Sequence, residues 1–393
     1  MDEHLSVGER IAYWRRRRGL TQEVLAGLVG RSSVWLSKIE RGERTLDKVS
    51  LLFALANVLK VSPGDLIGGI DLPPNGDGPL DPPRGVPALR RALLGSPDRE
   101  PPTAHQLHVD VDHVGMLVAN GSLETRALVL PEVLVSGRAA GAHEVPGAWW
   151  YLTRIYLMTS GLLRTVGELE LAWIAVDRAI DAAQRSGDVM LMAHARRRLA
   201  FARMREGWLD DAGSVCSDAA DAIAPTDETP LEGWSLWGSV QLTEAVAAVR
   251  GGDGAQAWRL LRNARTAAER VGEGRNDYWE NFGPANVGAH EVAVALESAD
   301  AVEALRLADG IDIDELPMAQ RRAEVLIDVA HAHGLRRDDG AAVAVLLEAE
   351  RHAPEMVRYS VKARELVRVC LGRERRSRTP GLRGLAERLG ISG

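Results

Sequence analysis

From about residue 103 onward, apolar positions recur at helical spacing almost to the end of the chain, so strands are expected to be essentially absent. Near the N-terminus the same spacing is cut into shorter pieces. Thr21 stands as an N-cap for a helix from about Gln22 to Val29, with Leu25, Leu28 and Val29 as its apolar face. Gly30 breaks that helix and turns the chain. Ser32 then caps a second helix whose Leu36 and Ile39 point inward at i, i+3, leaving Ser33, Val34, Ser37 and Lys38 on the solvent side. Two short helices across a tight turn, the second exposing small and polar residues at its N-terminal end, suit a DNA major groove.

Three stretches carry a family pattern: RxxRGLTQEVLA from Arg15 to Ala26, SxxxLSKIERGERTLD from Ser32 to Asp47, and LLFALANVLKVSPGDLI from Leu51 to Ile67. Together they resemble the five-helix Cro/phage-repressor helix-turn-helix domain, also called the xenobiotic-response-element (XRE) family, over about a sixth of the chain. The resemblance implies that Gln22 and Ser32 reach backbone phosphates and that Ser33, Val34 and Lys38 meet base edges. It also places an interhelical ion pair at Arg15 and Glu40. Arg15, Ser37 and Arg41 complete the candidate DNA-binding set, and the run Arg15 to Arg18 favours phosphate attraction as well as the helix dipole. Trp35 departs from the pattern, since a smaller residue is usual there. It either packs beside Trp14 or faces the duplex.

Between Gly68 and Pro102 lie Pro73, Pro74, Pro79, Pro82, Pro83, Pro87, Pro97, Pro101 and Pro102, a density that precludes a continuous helix and marks a linker over 69–102. One amphipathic piece interrupts it, Ala88 to Leu94, with Leu89, Leu93 and Leu94 on one side; it is expected to dock on a neighbour. The chain thus divides into a DNA-binding domain at 1–68, this linker, and a helical domain at 103–393.

Within the helical domain a repeat emerges. The pairs Gly167-Glu168, Gly207-Trp208, Gly252-Asp253, Ala299-Asp300 and Arg337-Asp338 mark turns, each followed five residues after its first member by Ala172, Ala212, Ala257, Ala304 or Ala342. Seven further on stand Ala179, Ala219, Ala264 and Ala349, with Ile311 breaking the rule, and seven before each turn stand Ser160, Ala200, Ala245 and Ala330, with Val292 the exception. Small side chains are needed where the helices of a hairpin approach closely. The pattern resembles tetratricopeptide (TPR) repeats, with units 38 to 47 residues apart against about 34 in that family. The expected fold is therefore all-α: a five-helix reader, a Pro-rich linker and a TPR-like α-solenoid. Further helices are expected over His105 to Val118 and Leu123 to Arg138, with Pro131 kinking or ending one of them. The pieces Glu355 to Leu371 and Leu382 to Leu389 either cap the solenoid or pair with a second subunit, and Arg373 to Arg378 between them is expected to be exposed.

Stacked hairpins make a concave surface lined by the first helix of each unit. The repeat register puts Arg154, His194, Arg197, Asn286 and His290 on or near it, a set suited to an anionic group or a peptide backbone. Trp234 and Trp237 are candidates to floor a pocket. The segment Arg275 to Val287, with three aromatics and a Gly-Pro, breaks the alanine-rich pattern most sharply, and Asn281 and Asn286 within it are further ligand candidates. Solvated groove residues with no dedicated ligand are the plainer alternative for this set. The architecture resembles peptide- or metabolite-responsive regulators that join a repressor-type reader to a TPR sensor. It implies a homodimer on a near-palindromic operator and a peptide or small-molecule effector. The alternative is a DNA-addressed scaffold that recruits a protein partner through the solenoid.

Composition sharpens this picture. Net charge is −7, yet residues 1–68 hold eleven Lys/Arg against eight Asp/Glu, so the positive charge sits where DNA would be met and the remainder is acidic. Only four of the 48 basic residues are lysine, a bias expected of a GC-rich bacterial genome. No apolar stretch approaches the roughly 20 residues of a membrane helix, and the opening MDEHLSVGER does not read as a signal peptide, so a cytoplasmic protein is expected. Cys216 and Cys370 have no paired spacing and read as core residues. His105, His108, Asp110, Asp112 and His113 cluster locally, but spacing fixes no further ligand and no metal or other cofactor is expected. Without a P-loop, zinc-protease motif, dinucleotide fingerprint or nucleophile elbow, no enzyme activity is expected.

Overall fold

A computed structural model describes residues 6–44, 82–119, 123–374 and 379–391, together with positions 51, 54, 55, 58, 59 and 66. Among the described residues all regular structure is helical.

Helices α1 (Val7–Arg17), α2 (Gln22–Leu28) and α3 (Ser33–Glu40) form the N-terminal unit. Each start is capped by the side chain of the residue just before it, at Thr21 and Ser32 as the sequence predicts. Ser6 and Glu9 make a reciprocal capping box on α1, Thr21 Oγ1 accepts from Val24 N at 3.2 Å on α2, and Ser32 Oγ accepts from Trp35 N at 3.2 Å on α3. Gly30 takes a left-handed φ of 66° to turn between α2 and α3. Ile11, Leu25, Ala26, Leu36 and Ile39 are buried together, and Leu55, Leu59 and Leu66 complete the core. Burying each large aliphatic side chain contributes roughly 1.5–3 kcal/mol. Leu28 does not join them: it is 62% exposed. The inward arc of α2 runs through Leu25, Val29 and Ala26, and at 100° per residue Leu28 falls on its edge. The rest of the expected helices over Leu51 to Ile67, and the linker up to residue 81 with Pro73, Pro74 and Pro79, lie outside the described residues.

The short helix in the proline-rich stretch is α4 (Val86–Leu94), with Pro87 in its first turn. It packs on α6 (Leu123–Ala142), beside α5 (Ala104–Ala119). Val86, Leu89 and Leu93 enter the main core, whereas Leu94 is 52% exposed, a correction to the expected apolar side. Helix α6 runs through Pro131 instead of ending there. Proline removes the hydrogen bond to the carbonyl four residues back, that of Ala127. Gly85 lies against that same carbonyl, so close that a Cβ there would stand 1.8 Å from the oxygen.

Five helical hairpins follow: α7 (Ala148–Thr165) with α8 (Leu169–Ser186), α9 (Val189–Arg205) with α10 (Leu209–Ala222), α11 (Leu231–Arg250) with α12 (Gly254–Val271), α13 (Pro284–Glu297) with α14 (Ala301–Ala308), and α15 (Ala319–Leu335) with α16 (Asp339–His352). Each first helix also touches the next first helix, so these form one continuous inner face. All five turns fall at the pairs read from the sequence. Gly167, Gly207, Gly252, Ala299 and Arg337 are all left-handed, at φ 85°, 78°, 91°, 60° and 61°. In each, the N–H of the next residue returns to the carbonyl five residues back, closing a Schellman-type C-cap. The repeat alanines Ala172, Ala212, Ala257, Ala304 and Ala342 are buried, as small residues at a close helix approach must be.

Helices α17 (Pro354–Tyr359), α18 (Val361–Gly372) and α19 (Leu382–Arg388) close the C-terminal end. Leu382, Leu385 and Leu389 are buried in the chain's own core, so this piece caps the hairpins. The basic run at 375–378 lies outside the described residues. No described helix is long and apolar enough to cross a membrane.

Candidate DNA interface and ligand channel

Helix α3 presents Ser32, Ser33, Val34 and Lys38 to solvent, Val34 at 64% exposure, with Ser37 half-buried beside them. Behind this surface sits a charged anchor. Arg15 donates from Nε and Nη2 to Glu40 at 2.6 and 2.9 Å and from Nη1 to the Leu20 carbonyl at 2.9 Å. Gln22 Nε2 donates to the same carboxylate at 2.7 Å. Glu40 therefore ties α1, α2 and α3 together at the back of the reader. Its hydrogen bond holds Arg15 above the ordinary arginine pKa, so the guanidinium is fixed as a cation. Arg15 thus faces inward, and Gln22 lies at the rim with its amide nitrogen engaged. Arg41 is exposed and paired with Glu43 at 2.9 Å. Trp35 packs half-buried on the reader core, with Arg31 over its ring at 6.0 Å.

A second site lies on the inner face of the hairpins. Arg154 of α7 is held between two indoles, 4.5 Å from the Trp150 ring centroid and 4.1 Å from that of Trp279. One turn of stacking further, α9 contributes His194, Arg197 and Arg198, all to Glu280: His194 Nε2 stands 2.5 Å from the carboxylate, Arg198 Nη2 donates at 2.8 Å, and Arg197 bonds to it through Nη1. Arg197 Nε also donates to the Ser239 carbonyl of α11 at 2.9 Å. Burial alone would raise the Glu280 pKa; Arg197, Arg198 and His194 more than offset it and hold the carboxyl well below the usual range. Burial, reinforced by the two guanidiniums, lowers His194 despite the carboxylate, so the neutral ring donates through Nε2. Its Nδ1 is buried with no hydrogen-bond partner.

The remaining sequence candidates divide. Asn286 Oδ1 accepts from Arg321 Nε at 2.7 Å, and Arg321 Nη2 lies 3.1 Å from His290 Nδ1. Burial, then Arg321, pushes His290 down to about 3, leaving it neutral. Asn281 is 4% exposed and both polar atoms of its side chain lack partners. Trp234 and Trp237 meet edge to face at 6.1 Å, but Arg270 of α12 covers Trp234 at 4.5 Å and Trp237 sits between two core clusters, so they build the hairpin wall. Sequence reading missed Glu280, Arg198 and Arg321. Charge balance was the available signal for Glu280, because buried arginines require a carboxylate and the aromatic segment offered one.

His108 pairs with Asp112 at 3.4 Å on the exposed side of α5, and among the described residues no three ligating side chains converge on a point. Burial pushes the thiols of Cys216 and Cys370 up to about 12 and about 11.

Fold and site together define a helix-turn-helix DNA-binding unit joined to a repeat of helical hairpins. Residues 6–67 match the family described as a helix-turn-helix domain. Over 76 residues the chain is 41% identical to the uncharacterized HTH-type transcriptional regulator y4dJ of Sinorhizobium fredii (strain NBRC 101917 / NGR234), a match spanning 19% of this chain and 97% of that protein. The chain belongs to the XRE-like HTH-type transcriptional regulators and carries a TPR-like C-terminal domain. Two solved structures overlay loosely. PlcR of Bacillus thuringiensis in complex with the peptide PapR7 and DNA gives a TM-score of 0.38 at 12% identity, over 77% of this chain and 94% of that one. BtubC (BKLC) from P. vanneervenii gives 0.36 at 17% identity, over 64% of this chain and 91% of that one. Neither overlay is close enough to bear on function.

Proposed function

We propose that this transcriptional regulator binds DNA under the control of an effector, a peptide or small signalling metabolite, held on the inner face of its hairpin domain. The observation that carries the effector half is that Arg154, His194 and Arg197, from two successive hairpins, gather around the adjacent residues Trp279 and Glu280 on the inner face. Enclosed arginines stacked on aromatics and aimed at a carboxylate are the means by which proteins recognise anionic groups. In the DNA half, Ser33, Val34 and Lys38 read base edges and Ser37 lies at the edge of that surface, while Ser32, Gln22 and Arg41 meet phosphates. Arg15 acts from behind, by fixing Glu40. A homodimer places two α3 helices on a near-palindromic operator, with half-sites about one helical turn apart.

Purified full-length chain, incubated with sheared DNA of its source genome at near-physiological salt, is expected to enrich an inverted repeat. Adding extract of stationary-phase culture is expected to change that enrichment. A repeat indifferent to extract removes effector control, and failure to enrich any sequence removes the operator.

A further inference from the structure

The inner face around Arg154, His194 and Arg197 is covered by the chain itself. Residues 275–283 leave α12, cross the inner face and rejoin the fold at α13. Three side chains seat them. Trp279 lies on Arg154 and against Gly115 of α5, where a Cβ would stand 2.1 Å from the indole. Glu280 takes the cationic site of α9. Phe282 packs on Gly238 of α11, where a Cβ would stand 2.0 Å from the ring, and is 1% exposed. Glycine weakens a helix interior, and here two of them open places for rings on either side of a carboxylate site.

The same segment is seated under strain. Tyr278, Trp279 and Asn281 all have left-handed backbones, at φ 54°, 55° and 55°, a conformation asparagine tolerates and the two aromatic residues disfavour. The side-chain amide of Asn281 is buried without a hydrogen bond, although its backbone N–H donates to Asn276 Oδ1 at 2.9 Å, and Nδ1 of His194 is a buried acceptor that faces no donor. Gly272 and Gly274, at φ 77° and 79°, precede the segment and Gly283 ends it. A seat with strong anchors, a strained backbone and unmet polar groups suits an occupant that leaves when something better paired arrives.

We propose that residues 275–283 are a tethered occupant of the effector channel, displaced by a short peptide that places a carboxylate between two aromatic side chains. This rests on the reading that the hairpin domain binds an effector. A carboxylate is required because an apolar replacement strands Arg197 and Arg198 in a buried site without a counter-charge. An amide N–H of the incoming backbone supplies the donor that His194 Nδ1 lacks.

The test titrates the full-length chain and its Glu280→Gln variant with a synthetic peptide matching residues 275–283. The tethered copy competes at an effective concentration on the order of millimolar, so the variant, whose tether is weakened while the cationic site is intact, should bind the probe at least tenfold more tightly than wild type. Trp279→Ala gives the same ordering through a different anchor. Equal affinities, or no binding to folded variants, overturns the proposal; so does a failure of both variants to fold, which makes the segment a folding element. Operator affinity is followed in the same samples: a probe that binds the variant tightly without changing DNA affinity leaves the tethered occupant standing and removes effector control.

Discussion

Replacing Glu280 with alanine is the most decisive perturbation of the hairpin domain, because its carboxylate is the shared counter-charge of Arg197 and Arg198 and the acceptor for His194. Three effects set the outcome. Unseating residues 275–283 gives up the full burial of Phe282 and the partial burial of Trp279, together about 3–5 kcal/mol. It also releases the left-handed Tyr278 and Trp279, worth roughly 1–2 kcal/mol each. Those two effects nearly cancel. What is left is the uncompensated charge: removing one partner of a buried pair costs about 3–5 kcal/mol. Exchanging a full kilocalorie shifts the melting temperature of a domain this large by about 2–4 °C, so Glu280→Ala should melt on the order of 10 °C lower. Acetate should return part of that loss in the variant when compared with chloride at equal ionic strength, and should not stabilise wild type in the same comparison. The measurement is thermal unfolding of the full-length chain by circular dichroism at neutral pH. A shift below about 2 °C, without any acetate dependence, refutes the claim that this carboxylate balances the site.

Acid should act in two stages, each with a defined sign. The folded pKa of His290 lies near 3 and burial lowers that of His194 as well, both below the unfolded value, so their contribution is complete above about pH 6.5 and is lost as pH falls; Glu280, held low by its cations, contributes fully above about pH 4.3 and is lost below that, so Glu280→Gln should flatten the second stage of a melting series from pH 7 to 3. Lys38→Ala should relax base preference at one operator position, worth about 1–3 kcal/mol, whereas Gln22→Ala should weaken binding to specific and random DNA alike, both read by competition binding. Gly8→Ala should abolish DNA binding while leaving the melting of the hairpin domain unchanged, because the new Cβ would stand 2.0 Å from the Ile39 carbonyl oxygen and 3.1 Å from the Glu40 Cα, backbone atoms that cannot move aside. Arg337→Gly should raise hairpin-domain stability by about 0.5–1 kcal/mol in denaturant unfolding, since Arg337 occupies a left-handed turn position that glycine fills in the first three hairpins.

The local rules of helix ends made most of the fold legible. Thr21 and Ser32 mark caps because a hydroxyl before an apolar-periodic run satisfies a free N–H. The five hairpin turns were readable even where Ala299 and Arg337 replace glycine, because the buried alanine five residues on fixes the register independently of the turn residue. Leu28 and Leu94 were misplaced for a geometric reason: on helices of seven and nine residues the apolar arc is narrow, and a leucine at its edge satisfies the periodicity while pointing outward. Between kinking and ending the helix, Pro131 leaves the choice to the surroundings of the Ala127 carbonyl; the helix continues, and only the fold brings Gly85 against that carbonyl.

The channel divides along the same line. The repeat places Arg154 and His194 on the inner face because each stands at the same distance before its turn, and Arg197 follows His194 by about one helical turn. Glu280 lies between hairpins, in a segment without repeat register, so no periodic rule assigns it a side or a partner. The composition of that segment was nevertheless informative. Buried arginines demand a counter-charge, and a single acid between Trp279 and Asn281, inside an aromatic run that interrupts an alanine-rich helical array, has the chemistry to supply it. A repeat reveals the walls of a channel, whereas the break in the repeat reveals what stands inside it.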